Sequence, residues 1–214
     1  MEDQLNNSGI EAIIFDLNGV LVDGERWHEE AFVRAMGDHG YEVTPGLKKK
    51  GFSTLGRLKA LSKMGRAPKN FKDIAKLKQK YTKEAIEKNC SPTGRILEAV
   101  GFAHRYTDGK IAIATNCSRE SATLMLATSG LSPFFNIIIT SDDVKGELKP
   151  HPMSYLEASY KLGVYSKHCL AIDNSDIGIL SAVDAMCRTM RISKFNKLSA
   201  DAIKRKLKAL EIRI

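Results

Sequence analysis

From residue 111 onward the chain alternates short strand-like runs with helical stretches, and that alternation leaves few folds open. Residues 111–114, 137–140, 169–172 and 189–192 have strand length, while 119–129, 153–162 and 177–186 carry apolar residues at helical spacing. An earlier apolar run, 11–17, adds a fifth strand. Strands separated by helices pair side by side in parallel, and a parallel sheet needs helices on both faces. The pattern therefore predicts an α/β fold: a parallel sheet with helices on both faces.

The stretch between the first and second strands reads differently. Residues 27–36 have helical spacing, with Ala31, Phe32, Ala35 and Met36 apolar. From 46 to 89 no strand is evident: Leu55, Leu58 and Leu61 suggest one helix, and Phe71, Ile74, Leu77, Tyr81 and Ala85 another. Residues 96–102 form a further helical stretch. The expected organisation is a core of residues 10–24 and 94–214, interrupted after its first strand by a small all-helical insertion, 25–93.

Charge is segregated in the same way. The whole chain carries +8, but residues 46–93 hold fourteen Lys/Arg against three Asp/Glu, a net +11, so the remainder is acidic by about three charges. Lys72, Lys76, Lys78, Lys80 and Lys83 populate more than one face of a single helix. A solvated surface explains such a segment; a surface focused on polyanions near a cleft is the alternative. No aromatic residues interleave the lysines as base stacking would require, which makes nucleic acid the least supported partner.

Other classes drop out on composition. No apolar run approaches a membrane span, and the first eight residues lack the basic start and apolar stretch of a secretory signal. Cys90, Cys117, Cys169 and Cys187 show no C-x-x-C pair, and Cys169 and Cys187 sit in apolar segments. That usage predicts free thiols and a reducing, cytoplasmic compartment. Cys117 stands at an expected helix start, a position that can lower a thiol pKa.

Open parallel sheets bind ligands beyond the carboxyl ends of their strands. The polar residues there are Asp16 and Asn18, Thr115 and Asn116, Lys149, and Asp173 and Asn174. Strand-end loops are polar in any case; that explains one or two such clusters, but not four.

These clusters also carry a resemblance. Phe15-Asp16-Leu17-Asn18-Gly19-Val20-Leu21-Val22-Asp23 resembles the first signature of the haloacid dehalogenase superfamily, D-x-D-G-T/V-L-x-D. Thr115-Asn116 resembles the second, Lys149-Pro150-His151-Pro152 the third (K-P-x-P), and Asp173-Asn174-Ser175-Asp176 the fourth. They occur in family order from about residue 10 to 192. The resemblance implies a Rossmannoid core, with the helical insertion as a C1 cap. His28, Gly51-Phe52-Ser53 and Arg57 are similar to the β-phosphoglucomutase and sugar-phosphate phosphatase branch.

By that resemblance Asp16 attacks a phosphoryl group to form an aspartyl-phosphate, and Thr115 and Lys149 orient that group. Asn116, His28, Arg57 and Lys78 are the substrate-binding candidates. Mg²⁺ is implied as cofactor, held by Asp16, the main-chain carbonyl of Asn18, Asp173 and Asn174. The expected substrate is a small phosphorylated metabolite or a polyanionic ligand.

Two positions depart from the pattern. The family carboxylate that protonates the leaving group is here Asn18, and a lost general acid–base costs roughly 10²–10⁴ in rate. Asn174 stands where the family has a metal-binding aspartate, and Mg²⁺ favours charged oxygens, so weaker binding is expected. Asp176 is available nearby but displaced from the family position. A phosphatase or mutase with altered catalysis is the leading reading. The rivals are a catalytically weak or inactive descendant that binds a phosphorylated ligand or a protein partner, and dehalogenase-like substitution at carbon.

Overall fold

The computed structural model describes residues 9–43, 54–65 and 71–211. Gly51-Phe52-Ser53 and Lys48, Lys49 and Lys50 lie outside the described residues. Five parallel strands, β1 (Ala12–Phe15), β2 (Ile111–Ala114), β3 (Ile137–Ile139), β4 (Cys169–Asp173) and β5 (Arg188–Arg191), form one sheet in the order β3-β2-β1-β4-β5. The helices are α1 (Glu25–Gly37), α2 (Thr54–Lys63), α3 (Phe71–Asn89), α4 (Gly94–Tyr106), α5 (Arg119–Thr128), α6 (Met153–Leu162), α7 (Asp176–Asp184) and α8 (Ala200–Glu211). The expected α/β architecture holds, with strand bounds shifted by a residue or two. No described helix is long and apolar enough to cross a membrane.

Alternation along the strands builds two unequal faces. Ile13, Phe15, Ile111, Ile113, Leu170 and Ile172 point to one side, where Ile96 and Val100 of α4, Met125 of α5, and Ile203 and Leu207 of α8 cover them. Ala12, Ile14, Ala112, Ala114, Cys169 and Ala171 point to the other, against Tyr155 and Ala158 of α6 and Ala182 of α7. Small side chains on the second face let α6 and α7 approach the sheet closely, which carries Tyr155 beneath the strand ends. The last helix is two-sided: Ala200, Ile203 and Leu207 are enclosed while Lys204 and Lys208 stay exposed.

Between β1 and α4 the described residues hold three helices and no named strand. Phe32, Ala35 and Met36 of α1, Leu58 and Leu61 of α2, and Ile74 of α3 make a separate small core. Polar contacts join α3 to the sheet domain: Gln79 Nε2 donates to Ser118 Oγ and Ser121 Oγ, each at 2.9 Å. Strand order reverses at β1, whose neighbours are β2 and β4. Such a reversal opens a crevice beyond the strand ends.

Candidate active site

The turns after β1, β2 and β4 converge at that crevice. Asp16 follows β1 directly, its main-chain N–H donating to Ile172 O at 2.8 Å, and Thr115 follows β2 with its N–H on Ile139 O at 2.9 Å. These main-chain bonds extend the sheet by one residue and aim both side chains past its edge. Ser118 caps α5 and Ser175 caps α7, each accepting a main-chain N–H of its helix. Serine suits that position because its oxygen satisfies an otherwise orphaned donor.

A buried cation joins two carboxylates at the centre. Lys149 Nζ donates to Asp16 Oδ1 at 2.7 Å and to Asp173 Oδ2 at 2.8 Å. Tyr155 adds its hydroxyl to Asp173 Oδ2 at 2.7 Å, while Asp173 Oδ1 accepts from Ser175 N and Oγ, both at 2.9 Å. Both Asp173 oxygens are therefore engaged, and the residue is 0 % exposed. In this arrangement Asp173 holds Lys149 from below.

The pair divides its charge unevenly. Burial pushes the Asp16 carboxyl up to about 7 against the pull of Lys149, and nearby Asp173 adds to the push. Burial acts on Asp173 as well, but Lys149, the Ser175 amide and the Tyr155 hydroxyl outweigh it and hold its carboxyl below the usual range. Lys149 remains cationic because its two carboxylates overcome the cost of burial.

A cavity of about 1000 Å³ opens above this triad. Asp16, Asn18, Thr115, Asn116, Lys149 and Asn174 line it from below, and His28, Arg57 and Lys78 from the helical insertion. Asp173 does not line it. Asn116 has a role sequence could not show: its Oδ1 accepts the Lys149 main-chain N–H at 3.0 Å, fixing the loop that carries the lysine. Asp176, displaced from the family position, is turned outward and paired with Arg191 at 2.7 Å.

Around Asn18 the side chains form a hydrogen-bonded cluster. Its Nδ2 lies 3.2 Å from His28 Nε2 and 2.7 Å from Cys117 Sγ, and its Oδ1 is buried without a partner. Lys78 Nζ meets His28 Nδ1 at 2.7 Å. Burial, with the Lys78 ammonium alongside, holds the His28 imidazole down to about 3, and burial lowers Lys78 to about 8. The Cys117 thiol is pushed up by burial, so its place before α5 does not activate it.

Charge at the cavity bears on the two readings of the basic segment. Among the described residues its lining carries six carboxylates (Asp16, Asp23, Glu25, Glu29, Glu30, Asp142) against four cations (Arg26, Arg57, Lys78, Lys149). Of the described cations in residues 54–93, only Arg57 and Lys78 reach it. Lys72, Lys76, Lys80 and Lys83 are exposed on the outer side of α3. Arg57 is itself paired with Glu29 at 2.8 Å and stacked over the Phe32 ring at 3.9 Å. Tyr155, Glu25, Glu29 and Gln79 belong to the site or its frame without any sequence signal, since each acts through a partner remote in the chain.

Of the expected Mg²⁺ ligands, Asp16, Asn18 and Asn174 line the cavity and Asp173 lies beneath it. Asn174 Nδ2 donates to Glu25 Oε1 at 2.6 Å, leaving the amide oxygen as its acceptor and bringing a second carboxylate up behind it. Among the described residues no three His, Cys, Asp or Glu side chains converge as ligands. The donor set fits a hard cation with one carboxylate and neutral oxygens.

Compared with known proteins, residues 13–192 match the model of the family described as haloacid dehalogenase-like hydrolase. Fructose-1-phosphate phosphatase YqaB of Escherichia coli is 24% identical over 172 residues, covering 79% of this chain and 89% of the relative. A phosphorylated carbohydrates phosphatase of Thermotoga maritima is 27% identical over 182 residues, 82% of each chain. Among solved structures, β-phosphoglucomutase from Clostridium difficile shares the fold with a TM-score of 0.79 at 23% identity, covering 95% of this chain and all of that one.

Proposed function

We propose, from the premise that the chain belongs to the haloacid dehalogenase-like hydrolases, that it is a phosphatase- or phosphomutase-like protein. It acts on a small phosphorylated metabolite through an aspartyl-phosphate on Asp16. The observation that carries this reading is Lys149 set 2.7 Å from Asp16 and 2.8 Å from Asp173, under a cavity at the sheet's reversal point. Lys149 offsets the repulsion between a carboxylate nucleophile and a phosphoryl group, and Thr115 lies beside it to hold a phosphoryl oxygen.

Phosphatases of this family generally use Mg²⁺, which when bound neutralises charge on the transferring group. Asp16, the Asn18 carbonyl and Asn174 would hold it, more weakly than a set with aspartate at 174. His28, Arg57, Lys78 and Asn116 bound the space for the rest of the substrate. Asn18 slows transfer because an amide exchanges no proton at neutral pH. The four free thiols support a reducing, cytoplasmic setting.

One observation favours a second reading, a weak or inactive descendant that binds its ligand: Asn18 is held by His28 and Cys117 rather than by an acid. Screening phosphomonoesters with and without Mg²⁺ on the wild type, Asp16→Asn and the double variant Asn18→Asp/Asn174→Asp separates the two. Mg²⁺-dependent turnover lost in Asp16→Asn and raised in the double variant is expected. Binding without turnover in every variant would favour the second reading.

A further inference from the structure

Asn18 hinders both halves of phosphoryl transfer from an alkyl ester, but only the second half when the leaving group needs no proton. When Asp16 Oδ attacks phosphorus, the bond to the leaving oxygen breaks and that oxygen departs with the electron pair. An alkoxide from a sugar phosphate must then be given a proton. The side chains around the amide do not supply one. His28 meets a nitrogen donor at each ring position, Lys78 Nζ 2.7 Å from Nδ1 and Asn18 Nδ2 3.2 Å from Nε2, a setting for an acceptor and not for an acid. Cys117 is a buried thiol, and Asp173 is closed off by Lys149, Tyr155 and Ser175. The amide itself donates a hydrogen bond without transferring a proton. A leaving group that departs as a stable anion needs none of this.

We propose that the phosphoryl donor suited to this site is an acyl phosphate, and that the phosphoryl group then persists on Asp16. The inference rests on the reading of Asp16 as nucleophile and deepens it. In the first step the Asp16 oxygen forms a bond to phosphorus, the bond from phosphorus to the acyl oxygen breaks, and a carboxylate leaves carrying the charge. In the second step water must attack phosphorus, lose a proton and release the Asp16 carboxylate. Asn18 cannot take that proton, so it goes to solvent or a phosphoryl oxygen and release is slow. The protein behaves as a phosphoryl carrier more than as a fast phosphatase.

The test compares acetyl phosphate with fructose 1-phosphate on the full chain in Mg²⁺ buffer, reading covalent phosphate by intact-protein mass spectrometry after acid quench. Acetyl phosphate should label the wild type at least about 10²-fold faster than the alkyl ester, the lower end of what a positioned acid contributes. Hydroxylamine should remove the label, and Asp16→Asn should take none. Asn18→Asp should narrow the donor ratio by roughly 10²–10⁴ and shorten the life of the label. Equal labelling by both donors would overturn the proposal while leaving Asp16 as nucleophile; an alkyl rate that then falls in Lys78→Gln would assign the proton to Lys78 through His28. No label from either donor, in the wild type or in Asn18→Asp of unchanged melting temperature, would overturn the nucleophile reading with it.

Discussion

Gly178 sits one turn into α7, where a Cβ would fall 2.0 Å from Asp173 Oδ2. Any side chain there must displace the carboxylate that holds Lys149. Breaking a buried ion pair of this kind costs about 3–5 kcal/mol. Gly178→Ala should therefore lower unfolding stability by about that much in urea titrations and abolish phosphate binding, whereas Gly37→Ala, with open space around it, should do neither. Lys78 offers the opposite case, a charge whose burial works against folding. Its pKa falls from 10.5 to about 8 on burial, so between pH 8 and 10.5 the unfolded chain holds the extra proton and stability rises with pH. Below pH 8 the cost is present in full, at most roughly 3 kcal/mol for a shift of that size. Lys78→Met should raise the melting temperature at pH 7, and the gain should shrink toward pH 10. A gain independent of pH would show that the ammonium is not what the fold resists.

Helix α3 carries Lys78 into the cavity and, one residue on, anchors itself to the sheet domain. Gln79 reaches both the N-cap serine of α5 and Ser121, and that helix starts two residues after Cys117. The link ties the position of Lys78 to the loop after β2, where Thr115 stands. A neutral hydrogen bond contributes about 0.5–1.5 kcal/mol net. Gln79→Ala should weaken calorimetric binding of inorganic phosphate by about fivefold, which is the same energy expressed as affinity. Its unfolding midpoint should move little, because α1 and α2 keep α3 packed. Unchanged affinity would mean that α3 is positioned by apolar packing alone.

At the scale of the whole molecule, a basic chain encloses a cavity whose described lining is not basic. The lysines of α3 face solvent while carboxylates outnumber cations around the site. Among the described residues, the cations that face the cavity are Lys149, Lys78, Arg57 and Arg26, while the other lysines of α3 face outward. The acidic lining also sets the response to cations. Asn174→Asp would place a carboxylate against Glu25, now 2.6 Å from the amide nitrogen, and like charges that close repel. The variant should melt below the wild type without Mg²⁺ and gain more from it, since a ligand stabilises in proportion to its affinity for the folded state. Calorimetry should show Mg²⁺ bound on the order of tenfold more tightly, as expected for a charged in place of a neutral oxygen. Equal Mg²⁺ shifts in both proteins would remove Asn174 from the metal site.

Strand and helix alternation is a local signal, so the sequence alone determined the parallel sheet, the helical insertion and the four clusters that meet beyond the strand ends. Asp16, Thr115 and Lys149 were legible for the same reason: each stands beside a strand end or the loop that follows one. What those residues touch was decided elsewhere. Asp173 meets Lys149, Tyr155 and Ser175 together because α6 packs its tyrosine under the sheet on the small-residue face. Asn116 serves the main chain of Lys149, thirty-three residues away, and Asn18 meets a histidine and a cysteine from two other elements. The direction of the lysine-rich charge depends on how α3 is rotated about its axis, which its apolar residues set by packing against α1 and α2. Contacts between residues far apart in the chain exist only once those faces are buried together.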